Sequence, residues 1–270
     1  MLSSSTQLIR LSQGQLNVLE RCPRQFQHTY LEQLFSPADP DTEARQTLGS
    51  RFHLLMQQRE IGLPIDKFVK ADSQLEAWMN AFAKDAPEIL TNTNSRFFRD
   101  SEHYRSLQVQ NYVLTAIYDL LIADEQQAQI IDWKTYRKPP NKRSLQSNWQ
   151  TRLYLYILAE TSDYLPENIS MTYWFFQGEG KLRSIRIDYN TVRHQQTTKK
   201  LTRLLSRLSK WLEKYQQGEA FPQVSEGQRK VCEKCQYAHR CERDSVIETE
   251  ELKAVDKTLA NLATIQEVCF

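Results

Sequence analysis

Apolar residues along this chain recur with two different periods, and the switches between them divide it into strand and helix segments. Strand-like runs cover about 107–123, 128–134, 171–177 and 182–188, and the last two flank Gly178-Glu179-Gly180, a hairpin turn signal. Helical spacing is most regular in Leu201, Leu204, Leu205, Leu208, Trp211, Leu212 and Tyr215. The other face of that helix carries Lys199, Lys200, Arg203, Arg207, Lys210 and Lys214, a solvated face or a track for a nucleic-acid strand. Upstream, Ala44, Leu48, Phe52 and Leu55 form a second stripe. Ser12-Gln13-Gly14-Gln15 predicts a capping box for a helix bearing Leu16, Leu19, Phe26 and Tyr30, interrupted near Pro23. Residues 73–90 predict helix inside an insertion at about 62–100, and Leu252, Val255, Leu259, Leu262 and Ile265 a final amphipathic helix. The interleaving predicts an α/β fold with a central mixed β-sheet flanked by helices. The expected division is one domain over 1–243, followed by a C-terminal helix at 244–270.

Chemistry concentrates on two of the strands. In Gln129-Ile130-Ile131-Asp132-Trp133-Lys134, residues two apart share a face, so Asp132 and Lys134 point together while Ile131 and Trp133 enter the core. A hairpin through the polar turn Asp124-Glu125-Gln126-Gln127 brings Asp119 of the preceding strand alongside. Two carboxylates suit a hard divalent cation, which lowers the pKa of a bound water. An ammonium beside them can orient that water or offset charge on a scissile phosphate. Alone, this three-residue pattern with two fixed positions better describes a surface ion pair at the end of an edge strand.

Composition narrows the picture only slightly. With 270 residues, 40% hydrophobic, the chain can bury a substantial core. A net charge of +2 gives no global argument for a polyanionic partner. Basic charge is local instead: Arg137, Lys138, Lys142 and Arg143 surround Pro139-Pro140 just after the Asp132 strand, where they could hold phosphates beside a cut. No Walker A sequence is present, so the chain has no NTP motor of its own. The first residues lack a basic start and apolar core, and no apolar run approaches a membrane span, so a cytoplasmic protein without a membrane partner is expected.

Five cysteines occur, and three of them form C-x2-C-x5-C at Cys232, Cys235 and Cys241. That spacing places three thiolates around one metal centre and leaves a fourth ligand to be found, with Cys22 the candidate. His239, within the same segment, is a possible substitute ligand, and Cys269 reads as an idle thiol.

Taken in order, His53, Asp119, Asp132 with Lys134, then Gln150 and Tyr154, flanked by Cys22 and the three late cysteines, resemble the RecB-like branch of the PD-(D/E)XK nucleases. The resemblance is to members with an iron–sulfur staple, such as the AddB nuclease domain and the CRISPR-associated RecB-like exonucleases, and it spans residues 12–241. It implies a restriction-endonuclease-like core and Mg2+ or Mn2+ held by His53, Asp119, Asp132 and the Trp133 carbonyl. Asp119, Asp132, Lys134, Gln150 and Tyr154 would be the catalytic set, and Cys22, Cys232, Cys235 and Cys241 would bind a [4Fe–4S] cluster. One position departs from the pattern: Ala116 stands three residues before Asp119, where the family has glycine. Read bottom-up, Gln150 and Tyr154 share a helix face and could position the lysine or the nucleic-acid backbone. Gly49, one turn before His53, leaves room for another backbone or a metal.

The expected function is a metal-dependent DNA nuclease, an exonuclease on single-stranded ends, serving DNA repair or CRISPR adaptation with a helicase or CRISPR-associated partner. The competing readings are a non-catalytic nucleic-acid-binding module with a structural cysteine-bound metal, and a zinc-stapled endonuclease.

Overall fold

The computed structural model describes residues 8–35, 40–91, 98–135, 140–176 and 182–243. They fall into two compact units, one built from the chain up to Asn17 and from 37 to Glu213, the other from Val18–Ser36 and from Lys214 onward.

The first unit is organised on a six-stranded mixed sheet. Its strands are β1 (Ile9–Leu11), β2 (Phe98–Val109), β3 (Tyr112–Ala123), β4 (Ala128–Lys134), β5 (Ile169–Phe176) and β6 (Leu182–Asp188). The order is β1-β3-β4-β5-β6, with β2 along the other edge of β3. β1 joins β3 and β4 joins β5 in parallel, and the remaining neighbours are antiparallel. The β4–β5 connection carries α7 (Lys142–Ser147) and α8 (Trp149–Glu160), as a parallel pair requires.

The run expected as a single strand over 107–123 is two. The chain reverses at Gln110 (φ 55°) and Asn111, so residues 98–109 pair back along the whole of β3. Apolar residues resume directly after the polar pair Gln110-Asn111, too short an interruption for periodicity alone to mark as a turn. The same correction trims the helical insertion: α4 (Asp66–Lys70), α5 (Ser73–Asp85) and α6 (Pro87–Thr91) end before β2 begins at Phe98. The polar turn before β4 is as expected, with the Asp124 carboxylate accepting from the Gln126 and Gln127 amides at 2.8 Å.

Helices bury both sheet faces. Phe52 and Met56 of α3 (Pro40–Glu60) and Trp78 and Phe82 of α5 pack on Leu120, Ile131, Trp133 and Phe176 of the sheet. Phe82 meets the Trp133 ring edge-on at 5.3 Å, so the apolar side chains flanking Asp132 anchor the strand. On the opposite face α8 is nearly all buried, and its Tyr154 carbonyl accepts from the Tyr118 hydroxyl at 3.0 Å.

α1 (Gln13–Arg21) begins in the first unit and ends in the second, where Cys22, in extended conformation, caps α2 (Pro23–Phe26). The Cys22 thiol accepts from the Gln25 amide at 3.4 Å, and Pro23 opens the helix, which accounts for the predicted interruption. The predicted capping interaction is formed at the start of α1, with the Gln15 side chain accepting from the Ser12 amide at 2.8 Å. The regular basic helix is α9 (Thr191–Gln216), which belongs to the first unit as far as Glu213, its buried stripe running from Thr197 through Leu208. Arg137, Lys138, Pro139, the Gly178–Gly180 turn, Cys269 and the 244–270 helix lie outside the described residues.

Candidate active site

β3 and β4 pair only as far as Leu120↔Ile131, and at the next register position the strands part. That position holds Asp119 and Asp132. β4 keeps its other partner through the fork, with Asp132↔Tyr173 and Lys134↔Phe175. Having lost its neighbour in β3, the Trp133 amide donates instead to the Asp119 carboxylate, at 2.7 Å. A side chain therefore replaces a backbone acceptor where a crevice opens.

β3 itself is irregular here. Residues two apart should share a face, yet Tyr118 packs against α8 while Leu120 packs beneath α3 and α5. Facing Asp119 across the hairpin is Glu102, whose φ of 52° is left-handed, between the regular pairs Ser101↔Leu120 and His103↔Tyr118. A non-glycine residue in that region costs about 1–3 kcal/mol and persists only where its surroundings impose it.

One oxygen of Asp119 is thus tied to Trp133, and the other lies 3.3 Å from His53 Nδ1. His53, Glu102 and Asp119 each offer a ligand atom within 4.8 Å of the other two. One nitrogen and two carboxylate donors suit Mn2+ or Mg2+, so this group fits a divalent cation. All three face an open cavity of about 1070 Å3, lined also by Gly49, Thr135 and Tyr154. Burial disfavours charge on His53, but the Asp119 carboxylate outweighs it and raises the imidazole pKa. Burial, and then Asp119, raise that of Glu102.

Asp132 lies deeper, 1% exposed. Lys134 Nζ is 2.5 Å from one of its oxygens, and Gln150 Nε2 donates to the other at 2.5 Å. Burial pushes the Asp132 carboxyl up to about 7 against the opposing pull of Lys134. Gln150 thus contacts the aspartate, where the sequence suggested the lysine or the nucleic acid. Tyr154, one turn along α8, lines the cavity, and burial pushes its hydroxyl pKa up. The space beside Gly49 is taken by Thr135: a Cβ at Gly49 would stand 3.0 Å from the Thr135 Oγ1.

The structure brings His53, Asp119, Asp132, Lys134, Gln150 and Tyr154 to one fork. It adds Glu102, which sequence reasoning missed. The signal was available: a reversal at Gln110-Asn111 places Glu102 opposite Asp119 by counting back along the two strands.

The second unit gathers the cysteines. Cys22, Cys232, Cys235 and Cys241 are free thiols lining one small cavity of about 10 Å3. Among the described residues no three of these sulfurs lie within 4.8 Å of one another. A tetrahedral zinc at about 2.3 Å from each sulfur needs a closer set, and a cluster needs more room than this cavity offers. The donor chemistry suits either group, and either requires the side chains to adjust. Burial raises the thiol pKa of Cys232 and Cys241, and the neighbouring thiols add to the effect. The imidazole of His28 lies against this group, its Nε2 3.7 Å from Cys241 Sγ.

No curated protein matches the chain. Among solved structures, a crystal structure of a "putative exonuclease" from Eubacterium rectale matches with a TM-score of 0.53 at 11% identity, covering 91% of each chain. The crystal structure of SSO0001 matches with a TM-score of 0.37 at 14% identity, covering 86% of this chain and 85% of the other. The first is a likeness of fold, and it agrees with a mixed sheet flanked by helices. The sequence profile of the PD-(D/E)XK nuclease superfamily matches residues 10–242, a span that includes the whole fork between β3 and β4 and all four cysteines of the second unit. With a match of that extent, the chain belongs to the PD-(D/E)XK nuclease superfamily.

Proposed function

We propose that this chain is a Mg2+- or Mn2+-dependent deoxyribonuclease of the RecB-like branch, an exonuclease acting on single-stranded ends. The observation that carries the reading is the fork, where carboxylates, an imidazole and an ammonium meet beside an open cavity. His53, Glu102 and Asp119 would hold the cation, with Asp132 and the Trp133 carbonyl contributing from β4. A bound divalent cation supplies a water of lowered pKa and shields phosphate charge. Gln150 fixes the orientation of Asp132, and Asp132 in turn holds Lys134 beside the fork, where its ammonium can orient the attacking water or the scissile phosphate. Tyr154 borders the same space and would contact the strand. The name of the Eubacterium rectale neighbour supports an exonuclease over an endonuclease. DNA as substrate, a repair or CRISPR-adaptation role, a helicase or CRISPR-associated partner and a cytoplasmic location follow the branch resemblance.

We also propose that Cys22, Cys232, Cys235 and Cys241 bind a [4Fe–4S] cluster. Four soft donors on two distant chain segments favour it. Anaerobically purified protein should be brown and contain iron and sulfide; colourless protein with one zinc per chain would replace the cluster by zinc.

The nuclease reading is tested by a gel assay on end-blocked, linear and circular single-stranded DNA with Mg2+ or Mn2+. The parent should degrade linear DNA and spare the circle, and both Asp132→Ala and Lys134→Ala should abolish cleavage. A parent that binds no Mn2+ and cuts nothing under any metal condition would leave the non-catalytic binding module in its place.

A further inference from the structure

A second polar cavity, of about 270 Å3, lies between α7, α8, the end of β6 and the start of α9. Arg143, Arg152 and Arg193 all line it, together with Gln146, Ser147 and Gln196. No described carboxylate does. Three guanidinium groups around one small space repel one another, and a lining of side-chain amides and hydroxyls does not neutralise them. Arg193 is braced by the Gln146 amide, whose oxygen, turned toward it, accepts from both terminal nitrogens at 3.0 and 3.1 Å. Arg152 is braced through Nε, which donates to the Ser147 carbonyl at 3.1 Å. The nearby acids are engaged elsewhere: Glu160 with His194 at 2.8 Å, and Asp188 with Arg186 at 2.8 Å. The walls are firm, since the Thr151 hydroxyl donates to the Leu145 carbonyl at 2.6 Å and lies 2.7 Å from the Tyr173 hydroxyl.

We propose that this cavity binds a backbone phosphate of a single-stranded DNA substrate, away from the phosphate that is cut. Braced guanidinium groups present paired N–H donors that match phosphate oxygens. The position suits such an anchor. Gln150 holds Asp132 from the first turn of α8, and Arg152, two residues later, is about 200° around the same helix. The anchor and the metal-binding fork therefore flank one rigid element, and a strand held at both would cross the first turn of α8. The identity of the anion rests on the nuclease reading, so the test measures binding and not cleavage.

Fluorescence anisotropy of a labelled single-stranded oligonucleotide, in EDTA across a salt series, provides the test. The variants are Arg152→Ala with Arg193→Ala, and separately Arg143→Glu, an exposed position in the first turn of α7 whose change leaves the core untouched. Each should weaken DNA binding about tenfold at low salt and lower the slope of log K against log salt by about 0.7 for each phosphate that the variant no longer neutralises. Calorimetric Mn2+ binding should stay at the parent value. Unchanged affinity and slope in Arg143→Glu, with a parent-like melt, would overturn the proposal. So would a parent cavity that takes inorganic phosphate or thymidine 5′-monophosphate, both added as competitors, without any loss of strand affinity. A parent that binds DNA with this salt slope yet cuts nothing would remove the nuclease reading and leave the anchor standing.

Discussion

Glu102 combines a left-handed backbone with a carboxylate that meets His53 and Asp119. Strain and ligand geometry make opposite demands at this one residue, and two substitutions separate them. Glu102→Gly removes the Cβ that makes a positive φ unfavourable, so in EDTA it should raise the melting temperature by about 2–4 °C, the equivalent of about 1 kcal/mol. Glu102→Gln keeps the strain and should leave the melt near that of the parent. Both should weaken Mn2+ binding at least about tenfold by calorimetry, since both lose a charged ligand. A Gly variant that melts at or below the parent would show that the left-handed turn carries no strain. Asp132 poses the complementary case, a buried carboxylate with two partners. Gln150→Ala leaves one of its oxygens without a donor, and a loss of about 1–3 kcal/mol in urea unfolding is expected. Lys134→Ala should retain Mn2+ binding while abolishing cleavage, whereas Asp132→Ala should lose both, a contrast that calorimetry beside the gel assay would read.

Among the elements, the critical contact is between α3 and the end of β4. Gly49 lies one turn before His53, and its missing side chain admits Thr135, the residue after Lys134. Gly49→Ala gains about 1 kcal/mol of helix propensity but sets a methyl 3.0 Å from the Thr135 hydroxyl. The helix should stiffen while α3 and the strand end are pushed apart. Cleavage should fall several-fold, with thermal stability at or above the parent, and Thr135→Ala in the same chain should restore most of the rate. An undiminished rate in the single variant would mean that the helix and the strand end tolerate the extra spacing. The hairpin of β2 and β3 belongs to the same scale. Its turn decides which residue faces Asp119, and the alternating pattern on either side is uniform enough to conceal the turn.

Across the molecule, the two units depend on different parts of the sequence. The sheet unit is built around its own aromatic core, whereas the second unit joins residues 18–36 to residues beyond 214 and places four thiols between them. A group bound there would close a loop of about two hundred residues, which restricts the unfolded chain. Cys22→Ser should therefore lower the melting temperature of metal-loaded protein by several degrees and reduce bound metal, both read on one sample by calorimetry and elemental analysis. An unchanged melt with full metal content would place the metal elsewhere. No helix among the described residues is long and apolar enough to cross a membrane.

The residue types, their order and their local periods were enough to indicate a mixed sheet flanked by helices and the pairing of Asp132 with Lys134 on one face. These features depend on short-range geometry, where a strand repeats every two residues and a helix every 3.6. Tertiary structure alone decided the fork between β3 and β4, the burial of Asp132 under Gln150, the contact of His28 with Cys241 and the meeting of three arginines. Each joins segments whose local patterns carry no information about their register, because the free energy that fixes it comes from packing between elements distant along the chain.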